Sequence, residues 1–183
     1  HSNRGNVLKD LGQLQDAELS YLKAIEIKPD LAEAYSNLGN VLKDLGNLKD
    51  AEVSYRKAIE LKPDFADAHS NLGTILMDLH KYIDAINFYK EAIKLDSNLS
   101  AAKSGLIISK GNICDWENQE VETKWLEKLG IEGSPVYPGG LFYFEDNPSK
   151  HLKRSKKLYR EKYYKKSKHI NHLNKNKIRI GYF

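Results

Sequence analysis

Between Ala32 and Phe65 the apolar positions fall into two blocks with helical spacing, Tyr35-Leu38-Leu42 and then Ala51-Tyr55-Ala58, parted by Gly46 and closed by Lys62-Pro63-Asp64. Shifting the chain by 34 residues brings the pattern back. The forward copy holds His69, Leu72, Gly73, Leu76, Ala85, Tyr89 and Ala92, and the backward copy holds Gly5, Leu8, Ala17, Tyr21, Ala24 and Pro29. The pattern predicts three helix pairs, with first helices near 2–11, 32–45 and 66–79 and second helices near 15–27, 49–61 and 83–95. Gly12 and Gly46 mark the turns within two pairs; His80 replaces the glycine in the third, so that turn is expected to be built differently. Gly39 and Ala51 lack the bulk that would keep crossing helices apart, Ala58 admits the next pair, and Tyr55 with Leu38 fills the remaining volume. Pro63 ends a helix and Asp64 is placed to cap the next, while Asp30 and Glu33 have capping-box spacing.

These small and aromatic residues at fixed offsets resemble the tetratricopeptide repeat. The resemblance implies an all-α fold, a right-handed superhelix (α-solenoid) in which pairs bury their apolar faces by stacking. A mixed helix and loop extension and one terminal β-strand are expected to follow. Residues 1–99 are read as three repeats, the first incomplete because His1 already aligns inside a first helix, and residues 100–130 as capping helices. In the cap Ala102 and Leu106 keep the register but Ile107 takes the glycine position, and a second helix runs to about Leu129 through Trp125. Residues 131–176 are read as a loop and a basic linker helix at about 149–166, with Leu152, Ser155, Tyr159 and Tyr163 as its packing stripe. Residues 177–183 alternate like a β-strand, and a lone strand has nothing to pair with, so a truncated further domain is expected there.

Mean hydropathy of −0.61 and the absence of an apolar run of membrane length or a leader pattern predict a cytoplasmic protein with no membrane partner. The net charge of +4 conceals a division. Residues 1–146 carry 16 Lys and Arg against 24 Asp and Glu, whereas residues 147–183 carry 13 against one. The single cysteine, Cys114, excludes an internal disulfide and is expected to be a small buried hydrophobe. The basic block at 150–168, with Tyr159, Tyr163 and Tyr164, has the composition of a nucleic-acid or anionic-membrane contact. The tyrosine spacing favours a connecting helix docked on protein, with no specific nucleic acid bound. His169 and His172 make a weak metal motif, so no metal site is expected. No nucleophile–base pair, phosphate-binding glycine loop or carboxylate pair stands out, so no catalytic residue is assigned and the chain is expected to be inert by itself.

One polar pattern invites a function. Asn3, Asn37 and Asn71 recur once per repeat, followed on the same helix face by Asn6, Asn40 and Thr74 and then by Asp10, Asp44 and Asp78. Asparagine is a poor interior helix residue, yet it is kept in all three copies. Its carboxamide both donates and accepts, which suits it to hold the backbone of an extended polypeptide without reading side chains. Since Gly5–Gly12 and Gly39–Gly46 are identical octapeptides, plain duplication of a solvent-facing side stands as the simpler account.

Ser-Asn-Leu-Gly at 36–39 and 70–73, Cys114-Asp115-Trp116 after the last repeat, Ser134-Pro135, Asp146-x-Pro148, the Lys/Arg/Tyr helix and the closing Lys-Ile-Arg-Ile-Gly-Tyr together resemble the SPINDLY-type O-linked N-acetylglucosamine transferases. The resemblance implies that Asn3, Asn37, Asn71, Asp10, Asp44 and Asp78 line the inner wall and hold acceptor polypeptide. It also implies a downstream glycosyltransferase domain in cis using a nucleotide sugar such as UDP-N-acetylglucosamine; no cofactor is expected within these 183 residues. A stand-alone tetratricopeptide adaptor of co-chaperone type, with no enzymatic role, is the alternative.

Overall fold

The computed structural model describes residues 1–115, 119–132, 134–136, 141 and 147–164, the side chains of 119–123 and 162–164 excepted. Three helix pairs come first: α1 (Ser2–Asp10) with α2 (Leu14–Ile27), α3 (Ala32–Asp44) with α4 (Leu48–Leu61), and α5 (Ala66–Asp78) with α6 (Tyr82–Leu95). They are followed by α7 (Ser100–Asn112), α8 (Gln119–Lys128) and α9 (Pro148–Leu158), the last running into a π-helical turn over Tyr159–Tyr164. The expected strand at 177–183 lies outside the described residues, as do Trp116, the 137–140 loop, His169 and His172.

The close crossings fall where the small residues predict them. A methyl group added at Gly39 would lie 2.8 Å from the Tyr55 ring, and one at Gly73 would lie 2.8 Å from Tyr89. Ala51, Tyr55, Ala85, Tyr89 and Ala92 are buried in one continuous core with Leu38, Leu42, Leu72 and Leu76, and Ala58 is buried as well. From α1 to α7 each helix packs on the next, and in addition α1 touches α3, α3 touches α5 and α5 touches α7, with no comparable contact along the row of second helices. A stack drawn tighter along one row bends toward it, so the first helices form the inner wall.

Three expectations are corrected here. No carboxylate caps the repeat helices: Leu31 and Phe65 occupy the N-cap positions with no side-chain bond, and the Lys-Pro-Asp turn is closed instead by the Leu31 and Phe65 amides on the Lys28 and Lys62 carbonyls. Asp30 and Asp64 sit one residue too early to reach the first-turn amides. The third turn is built like the others, since His80 adopts φ 60 where Gly12 and Gly46 have 78 and 84. His80 therefore bears the left-handed strain that glycine avoids, with Nδ1 2.8 Å from the Tyr82 hydroxyl. Cys114 is exposed, also at a left-handed φ of 55, and is not a core residue.

The cap departs from the repeat in a way Ile107 only half reveals. Its glycine is Gly105, two positions earlier, where an added methyl group would lie 2.2 Å from the Tyr89 ring. Both Gly73 and Gly105 thus make room for the Tyr89 ring. Ile107 turns to a second cluster with Leu126, Leu129, Val136 and Leu141, and Lys103 sits 5.1 Å over the Trp125 ring.

Helix α9 docks through the face that holds His151 and Arg154, beside the expected one. Leu152 and Tyr159 are exposed, whereas His151 and Arg154 are buried. Arg154 donates from Nε to the Leu129 carbonyl at 2.8 Å and from its terminal nitrogen to the Leu126 carbonyl, meeting acceptors at the C-terminal end of α8, and Lys157 reaches the Ile131 carbonyl at 3.0 Å. Orphan carbonyls and the negative end of the helix dipole make this a favourable place for cations. Asn147 caps α9 by accepting from the Lys150 amide, with Pro148 at its first turn.

Candidate peptide-binding groove

The polar row on the inner wall is organised by the core tyrosines beneath it. A buried phenol must place its hydroxyl on a partner, and the residue fifteen positions earlier provides one. Tyr21 donates to Asn6 Oδ1 at 2.5 Å, Tyr55 to Asn40 Oδ1 at 2.8 Å and Tyr89 to Thr74 Oγ1 at 3.2 Å. Asn71 adds a 3.3 Å bond from its amide to the same Asn40 oxygen, linking the second repeat to the third.

These bonds decide what the row can offer a ligand. In Asn6 and Asn40 the oxygen is engaged below, leaving the amide donors; in Thr74 the hydroxyl both accepts from Tyr89 and donates to Ser70 O at 3.1 Å. Asn3 and Asn37 keep donor and acceptor, and Asn71 keeps its oxygen. Asn37, Asn40 and Asn71 are half-buried, while Asn3 and Asn6 at the end of the stack are exposed.

Asp10, Asp44 and Asp78 form an exposed carboxylate row beside the same hydroxyls. Burial, and after it the neighbouring aspartate, raises the pKa of Tyr21 and of Tyr55, the latter strongly. Tyr89 is pushed up to about 12 by burial, opposed by its bond to Thr74 and assisted by Asp78. Burial also raises the Asp78 carboxyl, and the charges of Lys43 and His80 partly offset this. Each repeat thus presents one phenol-anchored polar residue, one residue from the Asn3/Asn37/Asn71 row and one carboxylate. The sequence pattern identified these rows but not the tyrosine that orders them; the signal available was a buried Tyr at a fixed distance from a polar residue.

Among the described residues no group of three His, Cys, Asp or Glu side chains could hold a metal ion. No helix among them is long and apolar enough to cross a membrane.

The family models for the TPR repeat and the tetratricopeptide repeat match residues 5–46 and residues 32–65 and 66–99, respectively. Residues 5–99 are tetratricopeptide repeats. No curated protein matches the chain. Among solved structures it is similar to YrrB, a TPR protein with an unusual peptide-binding site, at 22% identity and a TM-score of 0.62 over 94% of this chain and 90% of that one. It is also similar to the first TPR of Spaghetti bound to the HSP90 peptide SRMEEVD, at 21% identity and 0.61 over 62% and 90%, and to MamA, at 21% and 0.61 over 88% and 95%. At these identities the likeness is one of tetratricopeptide architecture.

Proposed function

We propose that the chain is a protein–protein interaction scaffold whose inner wall holds extended polypeptide, and that it is the acceptor-recognition portion of an O-linked glycosyltransferase. The observation that carries the first part is the anchored row: Tyr21 and Tyr55 fix Asn6 and Asn40 with their oxygens inward, which leaves amide donors for peptide carbonyls. Asn3, Asn37 and Asn71 add donors and acceptors, so main chain is held with little regard to sequence. The peptide-bound structure of Spaghetti and the peptide site of YrrB support a tetratricopeptide wall as a place for such ligands. An acidic peptide like SRMEEVD would meet Asp10, Asp44 and Asp78, so electrostatics disfavours a co-chaperone adaptor taking that class of ligand.

The transferase part rests on the residues that resemble SPINDLY-type enzymes, Cys114-Asp115-Trp116 and Lys177 to Tyr182 above all. The downstream domain in cis would supply the nucleotide-sugar site and all catalytic residues; this chain would position the acceptor hydroxyl by gripping its flanking backbone. The test is to titrate an unstructured Ser/Thr peptide while recording amide shifts, and then to extend the chain downstream and assay sugar transfer. Shifts confined to α1, α3 and α5 with turnover in the extended protein are expected. Shifts absent from these helices would remove the groove, and a peptide-binding extended protein without turnover would leave an adaptor.

A further inference from the structure

Docking of α9 through Arg154 leaves a second cationic surface that the groove does not use. Lys153, Lys156, Lys157 and Arg160 gather on one side of the helix, the pairs 153/156, 153/157, 156/160 and 157/160 lying three or four residues apart. Like charges at that spacing repel. The four side chains line a cleft of about 590 Å³ together with Ile131 and Glu161. Lys157 is fixed within it by its 3.0 Å bond to the Ile131 carbonyl. Among the described residues, Lys153, Lys156 and Arg160 have no carboxylate partner. The helix passes from α to π geometry at Tyr159, within this row, and such turns gather at functional sites.

We infer that this cleft is an anion site that takes a multiply charged phosphate group. Among the described residues, three ammonium groups and one guanidinium line the cleft with a single glutamate, and a guanidinium fork beside ammonium donors matches the several oxygens of a phosphate. The volume falls in the range of small-molecule sites, at about 300–1,000 Å³. The site lies on α9 and the loop after α8, away from the polypeptide wall, and stands whether or not a transferase domain follows.

Calorimetric titration of inorganic pyrophosphate tests it. One-to-one saturable binding is expected for the unaltered chain and for K23E/K49E, which makes the same charge change at exposed positions on α2 and α4. K156E/R160E should weaken binding by about tenfold or more while the circular dichroism spectrum is retained, since both side chains are exposed. No saturable heat, or equal weakening in both variants, would overturn the site in favour of diffuse attraction. Co-sedimentation with phosphatidylcholine vesicles carrying phosphatidylinositol bisphosphate separates the sources. Sedimentation lost in K156E/R160E would assign a lipid headgroup, and pyrophosphate binding without sedimentation a soluble phosphate compound.

Discussion

Along α1–α6 two helices approach wherever a glycine meets a tyrosine ring, as at Gly39 on Tyr55, and the tyrosine hydroxyl then fixes a polar residue on the inner wall. Between α8 and α9 the contact is an arginine, fully buried and bonded to the Leu126 and Leu129 carbonyls. Packing and site preparation are a single act in the first region, because the group that fills the core also orients the groove. In the second region the buried polar group satisfies helix-end carbonyls, and the exposed lysines beside it are free to differ. Stability should therefore respond to apolar volume in one and to hydrogen-bond satisfaction in the other.

The sharpest way to break the repeat side is Ala51→Trp. Ala51 has no exposed surface, and overpacking a close crossing costs about 1–3 kcal/mol or more, so a thermal melt should show the array lost or strongly destabilised. A melt that did not move would refute the crossing. Arg154→Met tests the other side: two buried carbonyls lose their donor at about 1–3 kcal/mol each. Hydrogen exchange should quicken in α8 and α9 while α3–α6 keep their protection; uniform quickening would show the two regions to be one cooperative unit.

Tyr89→Phe sharpens the link between core and wall. Loss of the bond to Thr74 should cost about 1 kcal/mol near neutrality. Because the folded chain holds this phenol at about 12 against an ordinary 10.0, its contribution is fully present below the ordinary value and is lost as pH rises toward 12. The variant should lose less stability across that window in alkaline melts, and an unchanged slope would dissociate Tyr89 from it. The smallest effect expected is a gain: His80→Gly relieves a left-handed residue and should stabilise by about 0.5–1 kcal/mol, whereas a loss would show that the Tyr82 contact outweighs the strain.

This difference between the regions also explains what could be read from the sequence. Anything repeated was legible, because a 34-residue shift separates the constrained Gly39, Ala51 and Tyr55 positions from their neighbours. The module after α7 occurs once, and its helix pattern misled: Leu152 and Tyr159 form an apolar stripe that faces outward, and Arg154 is buried by carbonyls that no side-chain pattern records. The His80 turn was misread for a related reason, since chain closure enforces the left-handed conformation whichever residue sits there. Within the groove the rows were visible, but the tyrosine bonds that divide Asn40 from Asn37 are contacts between helices and appear only in the fold.

The central claim is that the asparagine row, as ordered by the tyrosines, grips polypeptide backbone. Calorimetry of an unstructured neutral peptide with N37A/N71A, beside K57A/E60A on α4 as the control, measures it most directly. Each lost bond is worth about 0.5–1.5 kcal/mol, so the groove variant should bind about tenfold more weakly while the control is unchanged. Equal affinity in both variants would contradict the account and return the row to ordinary surface.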